Sequence, residues 1–105
     1  MSGVSTHILD TAAGCPAVGI AVHLWRDGAE IGSAVTDNNG RCCALLPIGT
    51  PLLAGVYRLV FDVTQHFPDG FYPEVVITFR VKDIDSHYHV PLLLSPFGYT
   101  TYRGS

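Results

Sequence analysis

Turn sequences recur about every ten residues along this chain, and they separate short runs of β-branched and aromatic residues. Each turn contains Gly, Pro, Asn or Asp, the residues that most readily reverse a backbone. The turns fall at residues 14–16, 27–28, 37–40, 47–51, 68–70 and 95–98. This spacing is typical of an all-β sandwich or barrel and leaves little room for long helices.

Within the runs, apolar side chains alternate with other side chains, as expected when every second residue of a strand faces a core. The clearest case is 74–82, where Val75, Ile77, Phe79 and Val81 share one face. The pattern predicts about eight strands and at most one short helix, a single turn near 64–67. The predicted strands cover residues 4–10, 18–25, 32–37, 42–46, 57–63, 74–82, 87–94 and 99–102.

Length and composition restrict the classes of protein further. The chain has 105 residues, enough for one domain spanning residues 1–105. Only 14% of the residues are charged and 48% are hydrophobic, which predicts surface buried in a homo-oligomer. The net charge of −3, without a basic run, argues against nucleic-acid partners. No apolar stretch approaches the roughly 18 residues of a membrane span, so no membrane partner is expected.

The three cysteines, Cys15, Cys42 and Cys43, cannot all pair within one chain, and none has the spacing of a metal or CxxC site. A bond between adjacent Cys42 and Cys43 would strain the peptide, so small buried thiols are favoured over a redox pair. The N-terminus has neither the basic nor the apolar region of a secretory signal. These features predict a protein of the reducing cytoplasm.

The same alternation separates polar from apolar faces in the first and eighth predicted strands. In 4–10, Val4, Thr6 and Ile8 form the better core face, which turns His7 outward together with Ser5 and Leu9. In 87–94 the core face is Tyr88, Val90, Leu92 and Leu94, which turns outward His87, His89, Pro91 and Leu93. Pro91 lacks a backbone N–H, so the strand should have an edge or a bulge there.

The candidate chemical residues are therefore His7, His87 and His89, with Arg41 just after the predicted Asn39-Gly40 hairpin turn. Imidazole exchanges protons near neutral pH, and arginine holds anions. Two other readings stay open: ordinary surface histidines, and zinc bound by the His-Tyr-His pair. Because no cysteine or carboxylate completes a recognisable ligand set, we expect no metal.

Several motifs together resemble the 5-hydroxyisourate hydrolases, which are transthyretin-related proteins. The C-terminal stretch 87–105 ends in their hallmark, Tyr102-Arg103-Gly104-Ser105. The first motif is matched by Ser5-Thr6-His7-Ile8-Leu9-Asp10 and Gly14-Cys15-Pro16-Ala17, and the arginine motif by Thr36-Asp37 through Gly40-Arg41. With Phe71-Tyr72-Pro73-Glu74-Val75, the resemblance covers nearly the whole chain.

This resemblance implies a two-sheet transthyretin-like sandwich that forms a homotetramer, a dimer of dimers with active sites in a channel between dimers. The implied reaction is the cofactor-free hydrolysis of 5-hydroxyisourate, from urate catabolism, to 2-oxo-4-hydroxy-4-carboxy-5-ureidoimidazoline. The channel would be lined by His7, Leu9, His89, Pro91, Leu93, Thr100 and Tyr102.

The resemblance also assigns roles to particular residues. The implied catalytic residues are His7, Arg41, His89 and Ser105, and the implied substrate-binding residues are His7, Arg41, Tyr102 and Arg103; the role of His87 stays open. One departure is the segment 62–73, which is shorter than in the family, so a loop or a stunted helix is expected there. The alternative function is a small-ligand carrier like transthyretin, which lacks the histidine, arginine and Tyr-Arg-Gly-Ser set.

Overall fold

The computed structural model describes residues 3–105, which form two β-sheets around one apolar core. Met1 and Ser2, which belong to the predicted domain and to the N-terminus expected to lack a signal, lie outside the described residues. No helix occurs between residues 3 and 105, and this range therefore has none that could cross a membrane. The strands are β1 (Gly3–Asp10), β2 (Cys15–Pro16), β3 (Ala21–Arg26), β4 (Ala29–Val35), β5 (Arg41–Cys42), β6 (Gly55–Asp62), β7 (Glu74–Val81), β8 (His87–Ser95) and β9 (Gly98–Thr101).

One sheet has the order β2-β1-β8-β9, and β5 also pairs with β1; the other sheet has the order β4-β3-β6-β7. Strands β1 and β8 are parallel, and every other pair is antiparallel. Parallel neighbours need a long connection, and here it contains the whole second sheet. The pairing therefore brings the two ends of the sequence side by side in one sheet.

The core lies between the sheets, on the faces that the alternation predicted. In β8, Tyr88, Val90, Leu92 and Leu94 are all buried, and β7 buries Val75, Ile77 and Val81. In β1, Val4 and Ile8 are buried with Thr6, whose hydroxyl donates a 2.6 Å hydrogen bond to the carbonyl of Val90. That bond satisfies the hydroxyl of Thr6, which would otherwise be buried without a partner. The all-β prediction and the predicted core faces of β1 and β8 are confirmed.

Two local predictions around Arg41 are wrong. The strand predicted at 42–46 is reduced to Arg41–Cys42, because Pro47 and Pro51 cannot donate to a ladder and residues 43–54 form an irregular loop. The turn at 37–40 is not a hairpin, since β4 and β5 belong to different sheets. The connection instead passes from one sheet to the other. Gly40 in this connection has φ of 73°, and a Cβ there would collide with the carbonyl of Ile8, so the position requires glycine.

At Pro91 the predicted bulge is absent, because β8 lies inside the sheet and keeps its register, and the predicted edge exists only locally, on the side that faces β9. Its pairing with β9 stops at Thr101 opposite Leu92 and resumes at Gly104 opposite His89. The Thr101 hydroxyl donates a 2.7 Å bond to the Pro91 carbonyl. The missing proline N–H thus interrupts the ladder without shifting it, which leaves Tyr102 and Arg103 unpaired with β8.

The segment 62–73 contains turns and no helix, which fits the expected loop. A single helix-like hydrogen bond joins the N–H of Phe67 to the carbonyl of Val63. His66 Nε2 lies 2.7 Å from Asp10 Oδ2, which ties the segment to the end of β1. The segment is therefore held on the sandwich without helical structure.

Candidate active site

Strand register places the candidate residues on the face of the first sheet that points away from the core. Ser5 is opposite His89 in the β1–β8 pair, and His7 is opposite Arg41 in the β1–β5 pair. Side chains opposite one another on neighbouring strands project to the same side, as do residues i and i+2 of one strand. We call the resulting set the histidine face: Ser5, His7, Arg41, His87 and His89.

Ser5 connects two of the three histidines. Its Oγ lies 2.7 Å from His87 Nε2 and 2.8 Å from His89 Nδ1. The residue is only 8% exposed, because the rings cover it. The alternation in the sequence placed Ser5 outward beside His7 but gave it no role. Only the register of β1 against β8 reveals the contact, and that register is set by tertiary structure.

His89 lies in surroundings that disfavour its charged form. Burial lowers the pKa of His89, and the nearby positive charges of Arg41, His7 and His87 lower it further. The neutral imidazole is therefore the main form of His89 at neutral pH. A neutral ring offers one nitrogen that accepts a proton, so His89 can act as a base.

Arg41 is held at the edge of the histidine face by its own backbone. Its N–H donates a 3.0 Å bond to Asp37 Oδ1, which also accepts the N–H of Asn39. These two hydrogen bonds hold the pKa of Asp37 below its usual range, and the bond from Arg41 has the larger effect. Among residues 3–105 no ion pair involves the exposed Arg41 guanidinium. Its planar fork of donors can therefore bind an anionic or carbonyl oxygen.

The C-terminal tail reaches the histidine face at Gly104. The N–H of Gly104 donates a 2.8 Å bond to the carbonyl of His89. A Cβ at this position would lie 2.5 Å from His89 Cδ2, so the close approach of tail and ring requires glycine. Ser105 follows directly, and Tyr102 is 57% exposed just after β9. The tail thus brings both residues to the border of the histidine face.

Arg103 makes a different contact within one chain. Its guanidinium lies 4.7 Å from the centroid of the Tyr88 ring, a cation–π contact. Tyr88 projects into the core, on the opposite side of β8 from His89, and its hydroxyl donates to the carbonyl of Asp83. The structure therefore brings together His7, Arg41 and His89, with Tyr102 and Ser105 at the border, and places Arg103 where it anchors the tail.

No group of three or more metal-ligating side chains is placed to bind a metal ion within the part of the chain that the structure describes. The chemical groups that are present are three imidazoles, a hydroxyl and a guanidinium. A neutral imidazole beside cationic groups on an open sheet face is suited to activating water and stabilising an oxyanion. Fold and site together define a β-sandwich with the features of a hydrolase.

The chain belongs to the HIUase/Transthyretin family, whose model matches residues 4–104. It is 46% identical to the 5-hydroxyisourate hydrolase of Caulobacter vibrioides, over all of both chains. The Klebsiella pneumoniae 5-hydroxyisourate hydrolase structure has a TM-score of 0.88 and 37% identity, covering 100% of this chain and 94% of that chain. Sea bream transthyretin in complex with thyroxine has a TM-score of 0.83 and 32% identity, covering 96% and 93%. The transthyretin-like sandwich and the family resemblance are thereby confirmed.

Proposed function

We propose that this chain, as a single transthyretin-like domain over residues 1–105, hydrolyses 5-hydroxyisourate to 2-oxo-4-hydroxy-4-carboxy-5-ureidoimidazoline in urate catabolism. Full-length similarity to 5-hydroxyisourate hydrolases supports this activity. The structural observation that supports it most is the convergence of His7, Arg41 and a neutral His89 on one face. These are the groups that opening a cyclic amide with water requires.

The reaction needs a base for water, a positive charge for the developing oxyanion and a proton for the leaving ring nitrogen. His89, with its lowered pKa, takes the proton as water attacks the carbonyl carbon. Arg41 binds the carbonyl oxygen as its negative charge grows. His7, opposite Arg41 in the strand register, assists the transfer by hydrogen bonding to the attacking water, and His89 then returns the proton to the leaving ring nitrogen. No cofactor has a part in this scheme.

The tail closes the site in this proposal. Tyr102 presents an exposed phenol next to the histidine face, and Ser105 follows the glycine that packs on His89. Both would contact a small planar substrate and limit the length of the pocket. The contact of Arg103 with Tyr88 favours a role for Arg103 in holding the tail in position. It argues against substrate binding by Arg103 at the site of the same chain.

The alternative is a ligand carrier, because a structure similar to this one is a transthyretin with thyroxine bound. A carrier needs a channel with matching shape but has no need of a proton-accepting imidazole beside a guanidinium. The decisive experiment follows the absorbance decay of freshly generated 5-hydroxyisourate with and without the protein. We expect strong acceleration, unchanged by EDTA. Tight binding of thyroxine with no acceleration would favour the carrier.

We further propose a homotetramer, a dimer of dimers, whose channel contains the histidine face. Strands β7 and β9 leave an unpaired edge in each sheet, and such edges readily pair with another copy. Apolar side chains remain exposed on and near them, including Val76, Phe97 and Tyr99. We also place the protein in the cytoplasm, where its three free cysteines would stay reduced.

The tetramer predicts a sedimenting species four times the 11.3 kDa mass of the chain. Analytical ultracentrifugation at micromolar concentration measures this directly. The expected result is a single tetrameric boundary, because burial of the open edges stabilises the assembly. A stable, fully active monomer would contradict the proposed channel, in which each site is completed by a second chain.

Replacement of Gly104 by alanine should reduce kcat/KM for 5-hydroxyisourate by about a hundredfold. The added methyl would collide with His89 Cδ2, and displacement of a reacting group by about 1 Å costs this much. Gly98→Ala is the matched control, since a Cβ there meets nothing closer than Ser95 Oγ at 3.8 Å. Equal activities of the two variants would show that the fit between tail and His89 does not matter.

A further inference from the structure

The Ser5 hydroxyl lies between two imidazole nitrogens at hydrogen-bond distance from both, 2.7 Å and 2.8 Å. A hydroxyl has one proton and can donate only one hydrogen bond. When both bonds form and both rings are neutral, one ring must therefore accept the hydroxyl proton while the other donates its N–H to Oγ. The two histidines are thus coupled: the tautomer of one fixes the tautomer of the other.

Only one of the two possible arrangements makes His89 a base. If His89 Nδ1–H donates to Ser5 Oγ, and the Ser5 hydroxyl donates to His87 Nε2, then His89 Nε2 retains its lone pair. In the reverse arrangement His89 Nδ1 accepts the hydroxyl proton, so His89 Nε2 has a proton and can act only as a donor. The direction of the hydrogen bond from the Ser5 hydroxyl therefore decides whether His89 Nε2 can accept a proton or can only donate one.

We propose that Ser5 and His87 form a proton relay that holds His89 in its basic tautomer and receives the proton that His89 takes from water. This inference rests on the proposed function and gives His87 the role that its sequence pattern left open. Ser5 and His87 are positioning residues, because they act through His89 and do not touch the reacting atoms.

The proton movements in the relay balance. As the water oxygen bonds to the carbonyl carbon and the C=O pair moves to oxygen, a water proton passes to His89 Nε2. The Nδ1 proton of His89 moves to Ser5 Oγ, and the Oγ proton moves to His87 Nε2, leaving His89 neutral and His87 positively charged. His89 Nε2–H then donates to the ring nitrogen as the C–N bond breaks and its electron pair moves to nitrogen. The two relay protons return, and the product acid releases one proton to solvent.

Burial and charge favour this direction of transfer. His89 is half-buried among Arg41, His7 and His87 and has a lowered pKa, which disfavours a positive charge on its ring, whereas His87 is exposed to water. Ser5 is buried between the rings, so water cannot readily replace either hydrogen-bond partner. The relay therefore moves the charge away from the half-buried ring of His89 to a ring at the surface.

The tautomer of His89 is the first test, and it needs no substrate. In nitrogen NMR of the full-length protein at pH above neutrality, we expect wild-type His89 to have its proton on Nδ1. Ser5→Ala and His87→Ala, the latter at an exposed position, should both shift the tautomer population of His89 towards the form with its proton on Nε2. An unchanged His89 tautomer in both variants would overturn the proposal.

Steady-state kinetics provide the second test. Ser5→Ala and His87→Ala should each lower kcat about ten- to a hundredfold, the loss seen when a partner that orients a metal-bound imidazole is removed. KM should change little, and Ser5→Thr, which restores a hydroxyl, should recover most of the rate. The double variant should be no worse than either single one, because both residues act through the same chain of bonds. Ser33→Ala, on β4 of the other sheet, is the matched control.

The outcomes separate the relay from the proposed function. A wild-type protein that fails to hydrolyse 5-hydroxyisourate would refute the function, while the NMR test would still report on the coupling. An active enzyme in which Ser5→Ala and His87→Ala retain full kcat would refute the relay alone. Independent, additive losses in the double variant would also refute it, since they would mean that the two residues act separately.

Discussion

Replacement of His89 by asparagine should lower kcat/KM for 5-hydroxyisourate by about 10² to 10⁴, the usual contribution of a general base. Asparagine retains a side-chain amide that can donate to Ser5 Oγ, but it cannot take a proton from water. The sandwich should remain intact, because the His89 side chain lies outside the core. Most of the loss should appear in kcat, measured with freshly generated substrate over a range of concentrations.

The matched control is His23→Asn, a histidine on β3 in the other sheet, beside Glu30. We expect its activity to equal that of the wild type. If His23→Asn abolished turnover and His89→Asn did not, the assignment of the histidine face as the active site would be wrong. Circular dichroism and sedimentation of both variants would show that neither result comes from unfolding.

Replacement of Arg41 by alanine should lower kcat/KM by about 10² to 10³, the usual loss when one donor to an oxyanion is removed. Arg41→Lys should recover only part of this loss, because a lysine has the charge without the planar fork of donors. The turn should survive both changes, since Asp37 accepts the backbone N–H of residue 41. Saturation kinetics would divide the effect between kcat and KM.

Arg58→Ala is the control for the loss of a positive charge. Arg58 is exposed on β6, in the sheet that does not contain the histidine face. Its removal should leave turnover unchanged at ordinary salt concentration. Equal losses in Arg41→Ala and Arg58→Ala would mean that overall charge, and no specific contact of Arg41, governs activity.

The sequence was sufficient for those features that depend on alternation alone. Val4, Ile8, Tyr88 and Leu92 face the core as predicted, because strand parity is a local property and one face of each strand must be buried. The same rule placed His7 on the opposite face. No knowledge of neighbouring strands was needed for any of these assignments.

Features that depend on strand pairing could not be predicted from the alternation of residues in the sequence. The contact of Ser5 with His89 exists because β1 pairs in parallel with β8, whose residues are more than 80 positions away along the chain. The change of sheet between β4 and β5 likewise turned a predicted hairpin into a crossing. The contact of Arg103 with Tyr88 arises where the ladder is interrupted at Val90 and Pro91. Each of these depends on which distant segments meet, which local periodicity does not specify.

The rate of 5-hydroxyisourate hydrolysis by the wild-type protein, measured from about pH 8 down to about pH 5, tests the central claim most directly. His89 is the base only when neutral, and burial with the charges of Arg41, His7 and His87 lowers its pKa. The neutral form of His89 should therefore persist as pH falls to the ordinary histidine value of about 6.5. The value of kcat/KM should fall at the acidic end, where neither His89 nor the relay can accept a proton. No acceleration over the spontaneous reaction at any pH, or a rate that is undiminished at the acidic end, would contradict the account.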